Sequence, residues 1–174
     1  MKVETVSDRA GIHVQVATGG ARVPVASDIE NWARAAAGDA DAEVTVRVAG
    51  EIEMAELNER YRHGQGATNV LAFAFEMPGN DWPGDAAPVN LLGDVVVCQE
   101  VVEREAREQG KALDAHFAHM VVHGVLHLRG YDHDHEAGAA VMEKEERRVL
   151  AVLGYGDPYA PECPVGELRQ GAVP

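Results

Sequence analysis

The 174-residue chain holds two cysteines, Cys98 and Cys163, and neither belongs to a CxxC pair. That is a poor disulfide framework, and both thiols are expected to stay reduced. Long apolar runs are missing too: no stretch approaches the roughly 20 consecutive apolar residues of a membrane-spanning helix. The opening MKVETVSDRAGIHV lacks the charged-then-apolar form of a secretory signal. These absences predict a cytoplasmic protein with no membrane partner. Repeats and low-complexity tracts are also absent, so the expectation is one domain over residues 1–153. From Gly154 glycine and proline are dense and periodicity stops, which predicts a partly disordered tail over residues 154–174.

Basic residues are few. Lys and Arg number 15 against 29 Asp and Glu, a formal net charge of −14, which argues against non-specific binding to bare nucleic acid. A polyanionic substrate would have to meet a local basic patch. Arg60, Arg62 and His63 form one candidate cluster, with Lys111 and Arg129 flanking the histidine-rich stretch; any one of them is more often solvated surface.

What the chain does have is histidine in a pattern. Residues His123 to His133 read HGVLHLRGYDH, containing HxxxHxxGxxH. On a helix, residues four apart stack on one face with Cβ atoms about 5–6 Å apart, so His123 and His127 could grip one ion. Gly130 permits the left-handed backbone that ends a helix and lets the chain return His133 to the same point. Three neutral imidazoles with an open fourth position describe a catalytic zinc site for one ion. His119 stands four before His123 and makes a rival pair, but only the 123/127 pair is followed by a glycine stop and a returning histidine. His116, His119 and His135 are therefore read as neighbours of the ligands or bystanders. A zinc protease of the HExxH kind would carry a glutamate after its first histidine, and here that place is Gly124. An all-histidine shell leaves the ion its full charge, which favours Lewis acidity and an anionic phosphodiester over a neutral amide.

Periodicity supplies the surroundings. Ile12 to Ala17 and Glu43 to Ala49 alternate as half-buried strands, while Asn69 to Phe75 and Leu92 to Cys98 read as more deeply buried ones, Cys98 being core. Ser27 with Glu30 suggests a capping box for a helix from near Asp28, burying Ile29, Trp32, Ala33 and Ala36. Further helices are expected over Glu51 to Arg62 with Ile52, Ala55 and Leu57 inward, and over Gln99 to Gln109 with Glu103 and Arg107 at ion-pair spacing. Ala112 to Arg129 is the metal-bearing helix, and His135 to Leu153 has a packing face of Val141, Met142, Val149 and Val152. Met77 to Asn90 is a loop. This order predicts an α+β domain in which a small mixed sheet of about four strands supports several helices, one of them zincin-like.

HGVLHLRGYDH resembles the signature of the YbeY endoribonucleases, bacterial rRNA maturation factors. LNERYR at Leu57 to Arg62, TNVLAF at Thr68 to Phe73 and LGDVVVC at Leu92 to Cys98 resemble other blocks of that family in the same order. The resemblance runs from about the second helix to the last. It implies that His123, His127 and His133 hold zinc and that Arg62 is the cationic residue aiding cleavage. It further implies single-strand-specific RNA cleavage in 16S rRNA 3′-end maturation and ribosome quality control, with ribosomal RNA, the small ribosomal subunit and assembly factors as partners. The chain departs where the family commonly has YRxxDxPTDVLSFP: Gln65, Ala67, Asn69, Ala72 and Ala74 replace Asp, Pro, Asp, Ser and Pro. Losing a proline and two carboxylates predicts a more mobile, less acidic loop after Arg62. Asn69 and Asp94 are read as capping residues at strand starts. Two other functions compete, a metalloprotease-like hydrolase and a non-catalytic assembly protein whose zinc holds the last helices together.

Overall fold

The computed structural model describes residues 4–9, 11–20, 22–76 and 90–160. Its elements are β1 (Glu4–Arg9), β2 (Ile12–Val16), α1 (Ala26–Ala37), β3 (Glu43–Ala49), α2 (Glu51–Arg62), β4 (Val70–Ala74), β5 (Leu91–Cys98), α3 (Gln99–Glu108), α4 (Leu113–Leu128) and α5 (Glu136–Val152). The four expected strands form one mixed sheet, joined at its edge by β1, in the order β1-β2-β3-β5-β4. Strands β2, β3 and β5 run parallel, and β1 and β4 close the edges antiparallel. ETVSDR gives β1 almost no apolar alternation, so only its pairing with β2 marks it as a strand. The α+β expectation holds.

Alternation along the strands divides the molecule into layers. Ile12, Val14, Val44, Val46, Val48, Val95 and Val97 are buried on one face beneath α1 and α4. On the other face Leu71, Val96 and Cys98 meet Met54 of α2 and Val101 of α3. Helix α4 is enclosed on most sides, with Phe117, Val121, Val122, Val125 and Leu126 all fully buried. Each such side chain contributes about 1.5–3 kcal/mol relative to exposure. The helix is thereby fixed, and only a strip of its surface remains for polar groups.

Several helix details differ from the periodic reading. Helix α1 begins at Ala26, its Asp28 amide bonding the Val25 carbonyl at 3.0 Å, so Ser27 lies inside the first turn and caps nothing. In α2 the single buried side chain is Met54, while Ile52 is 81% exposed. In α5, Met142 and Val149 are buried as expected, but Val141 and Val152 face solvent and Glu146 and Leu150 take their places inward. Glu103 and Arg107 do pair, at 3.3 Å.

The two flanking cations turn out to be structural fasteners. Lys111 Nζ donates to the Pro158 carbonyl at 2.9 Å, and Arg129 donates to the Ala36 carbonyl at 2.9 Å while lying over the Tyr131 ring. The segment after α5 is held against the body as far as it is described: Tyr155 meets Trp32 edge-on, and its amide bonds the Leu150 carbonyl at 2.9 Å. Residues 161–174, with Cys163, lie outside the described residues, as do 77–89 of the expected loop. Cys98 is buried and unpaired, and burial pushes its thiol up to about 11, which makes it inert. Among the described residues no helix is long and apolar enough to cross a membrane.

Candidate metal centre and its cleft

Helix α4 places His123 and His127 one turn apart with ring centroids 4.7 Å from each other and Nε2 atoms 3.1 Å apart. The helix then stops as its glycine dictates. Gly130 takes φ +91°, its amide bonds the His127 carbonyl at 2.9 Å, and the Tyr131 amide reaches back to the Leu126 carbonyl at 3.1 Å. That pair of bonds is the Schellman closure of a helix end. It turns the chain so that the His133 ring comes within 5.4 Å of His123 and 4.8 Å of His127, centroid to centroid.

The donor nitrogens of these three histidines lie within 4.8 Å of one another, so they could hold a metal ion. Around a tetrahedral zinc with bonds of 2.0–2.1 Å, two nitrogens stand roughly 3.3 Å apart, close to the 3.1 Å between His123 and His127. Burial, and then the neighbouring His123 and His133, lower the pKa of His127, with Tyr131 and Asp132 working weakly the other way. A neutral ring with its lone pair free is the form that ligates. The residues present therefore fit the metal. His119, His123 and Glu146 form a second group of potential donors. There, however, His123 Nδ1 and Glu146 Oε1 are 2.6 Å apart, a hydrogen-bond length too short for a cation to sit between.

Glu146 is the residue that periodicity missed. It occupies an inward position of α5, is fully buried, and accepts from His123 Nδ1 and from the Tyr159 hydroxyl, with His119 Nε2 at 3.5 Å. Burial raises its pKa, but the nearby His119 ring and the hydrogen bonds from His123 and Tyr159 outweigh that and hold the carboxyl near 2, ionised. Burial and the adjacent Glu146 charge raise the Tyr159 phenol well above its ordinary value, so it stays a proton donor. The signal available in the sequence was a glutamate among the apolar positions of an amphipathic helix. His116 is engaged elsewhere, 2.8 Å from Glu105, whose carboxylate also takes the Asn69 amide at 3.2 Å. His135 is exposed at the start of α5.

The three histidines open onto a cleft of about 290 Å³ whose far wall is the end of α2 and the strand β4. Arg62, Asn58, Thr68 and Asn69 line it, and Gly124 forms part of its floor. Among the described residues no Asp or Glu lines it, although the chain carries a net charge of −14. Arg62 is the last residue of α2 and is exposed. The loop beyond it is fastened by Asn58, whose carbonyl accepts from Gly64 at 3.2 Å and whose side-chain amide donates to the Gly66 carbonyl at 2.9 Å. These two bonds tie the loop back to the end of α2. Asn69 caps as expected, its Oδ1 accepting from the Val70 amide at 2.7 Å, whereas Asp94 lies mid-strand on the exposed side of β5 and lines a separate hollow beside α2.

Gly124 is where α4 touches the sheet. A Cβ there would stand 2.5 Å from Val95 Cγ1 and 3.2 Å from Val70 Cγ2, both on short, stiff side chains. No glutamate can occupy this place without displacing the helix, so the proton-accepting residue of an HExxH protease is sterically excluded. Gly124→Ala is expected to cost about 1–3 kcal/mol by overpacking, read as a fall of several degrees in the thermal midpoint. An unchanged midpoint would show that the helix stands further from the sheet than described.

A family model for endoribonuclease YbeY matches residues 20–154, so the likeness begins before α1, well upstream of the motif blocks. A Nitrosococcus oceani protein named endoribonuclease YbeY is 50% identical over 150 residues, covering 85% of this chain and 95% of its own. One of the same name from Aromatoleum aromaticum is 49% identical over 160 residues, covering 90% and 97%. The solution structure of TM1509 from Thermotoga maritima shares the fold, with a TM-score of 0.50 at 24% identity over 86% of this chain and 99% of that one. With that extent of matching sequence on top of the histidine cluster and its cleft, the chain belongs to the endoribonuclease YbeY family.

Proposed function

We propose that the protein is a zinc-dependent endoribonuclease that cuts single-stranded RNA, with His123, His127 and His133 as the metal ligands and Arg62 as the cationic residue that assists cleavage. The observation that carries this reading is a cleft lined by three imidazoles and a guanidinium, with no carboxylate on its wall among the described residues, on a strongly acidic chain. Such a distribution of charge favours a phosphodiester at that one place and repels it elsewhere. Zinc, when bound, supplies Lewis acidity toward a phosphoryl oxygen and lowers the pKa of water. The chain's own groups orient the substrate: the planar fork of Arg62 suits two phosphate oxygens at once, and Asn58 and Thr68 add neutral hydrogen-bonding groups along the wall. A cleft this small accepts an extended strand more readily than a duplex.

In the cell the substrate would be ribosomal RNA, in maturation of the 16S 3′ end and in ribosome quality control, reached on the small subunit with its assembly factors. Docking on a ribonucleoprotein would bring an acidic protein to RNA that its overall charge repels. The test is a cleavage assay with zinc-loaded protein on one RNA sequence offered single-stranded and as a duplex, with an unfolded protein as a third substrate. The single strand should be cut at least about tenfold faster than the duplex, one kcal/mol-scale discrimination step, and the protein left intact. Zinc-dependent cutting of the polypeptide would favour the protease reading instead. Stable zinc binding with no cleavage of any RNA would favour the non-catalytic one.

A further inference from the structure

We propose that Glu146 and Tyr159 are positioning residues for the metal centre: Glu146 fixes the His123 ring through Nδ1 so that Nε2 faces the ion, and Tyr159 holds Glu146 in that place. This rests on the reading of the three histidines as the metal site. A neutral imidazole carries one proton, and whichever nitrogen donates leaves the other as the ligand. In this structure His123 Nδ1 meets the Glu146 carboxylate at 2.6 Å, while Nε2 is directed at His127 Nε2. The hydrogen bond thus selects the tautomer that ligates and orients the ring before any ion arrives.

A fully buried carboxylate is costly unless its charge is matched. No Lys or Arg pairs with Glu146 among the described residues; its partners are His123, His119 and the Tyr159 hydroxyl. A cation on the far side of His123 would provide the missing charge, and the imidazole would carry the effect between them. Tyr159 belongs to the segment after α5, which is seated by Lys111 on the Pro158 carbonyl, by Arg147 to Asp157 at 3.1 Å, and by Arg147 stacked 4.8 Å over the tyrosine ring. Such a clamp around one exposed-side tyrosine makes sense if its hydroxyl must stay aimed inward. Neither Glu146 nor Tyr159 lines the substrate cleft; both border a separate cavity of about 270 Å³ behind His123. They act through the ligand, not on the substrate.

The test is zinc affinity, measured on purified full-length protein by competition with a chromophoric chelator. E146Q should bind zinc about 10–100-fold more weakly, with Y159F weakened in the same direction by a smaller factor. E105Q, which alters the analogous His116 pair off the site, should bind like wild type. ¹⁵N shifts of His123 in zinc-free protein give the second readout: the Nδ1-protonated form should dominate in wild type and become mixed with the other tautomer in E146Q. Wild-type affinity and an unaltered tautomer in both variants would overturn the proposal while leaving the metal site standing. If wild type bound no zinc at all, both readings would fall. Should E146Q not fold, Y159F decides, because it removes a single hydroxyl and keeps the ring.

Discussion

His127→Ala is expected to yield a folded protein that neither retains zinc nor cuts RNA. The ring stands at the middle of the cluster, with Nε2 3.1 Å from that of His123 and its centroid 4.8 Å from that of His133. Removing it leaves one ligand on the helix and one on the returning loop, too few for a closed grip. The helix itself should survive. Its stability comes from the buried apolar residues between Phe117 and Leu126, none of which is touched, and alanine is the best helix former. Circular dichroism should therefore be unchanged while metal analysis falls from about one zinc per chain to trace and cleavage of single-stranded RNA falls to background. Undiminished cleavage by the metal-free variant would reject the zinc-dependent mechanism outright. A melt provoked by chelation of wild type, in a protein that never cuts RNA, would instead point to a structural zinc.

Much of this site could be read from the chain because its parts are local. His123 and His127 are joined by one helical turn, and Gly130 and His133 follow within a few residues, so 3.6-residue periodicity and one glycine suffice to bring them together. The central strands were legible for a similar reason, since Val44, Val46 and Val48 alternate with Thr45 and Arg47. What escaped depends on distant partners. Glu146 is 23 residues from His123 and looks like one of many charges on α5; only the packing of α5 on α4 turns it inward. Tyr159 falls in a stretch whose glycines and prolines suggest a loose tail, and its place is set by Arg147 and Lys111. Met54 in place of Ile52, and Leu150 in place of Val152, show the same limit: an amphipathic pattern with several apolar candidates does not say which way a helix is rotated until its neighbours are in position.

Arg62→Ala is expected to lower cleavage of single-stranded RNA by about 10²–10³-fold, the usual loss when one group that stabilises developing charge is removed, with zinc content and thermal stability unchanged. The structure offers reasons to separate the two effects. Other arginines are committed to carboxylates: Arg47 to Glu53 at 2.6 Å, Arg104 to Glu51 at 2.8 Å, and Arg148 to Glu145 at 2.6 Å. Arg62 makes no ion pair or hydrogen bond among the described residues, yet it ends on the wall of the cleft that holds the three histidines. Its contribution to folding is limited to a favourable position in the last turn of α2, about 0.3–1 kcal/mol at most for an exposed charge. Arg62→Lys keeps the charge but not the two-pronged fork, so it should recover only part of the activity if bidentate contact with a phosphate matters. The comparison therefore grades the role: equal activity in all three proteins would make Arg62 ordinary solvated surface, recovery to wild type by lysine would reduce it to a point charge that attracts RNA, and a lysine variant stranded between the other two would mark the guanidinium as part of the cleavage machinery.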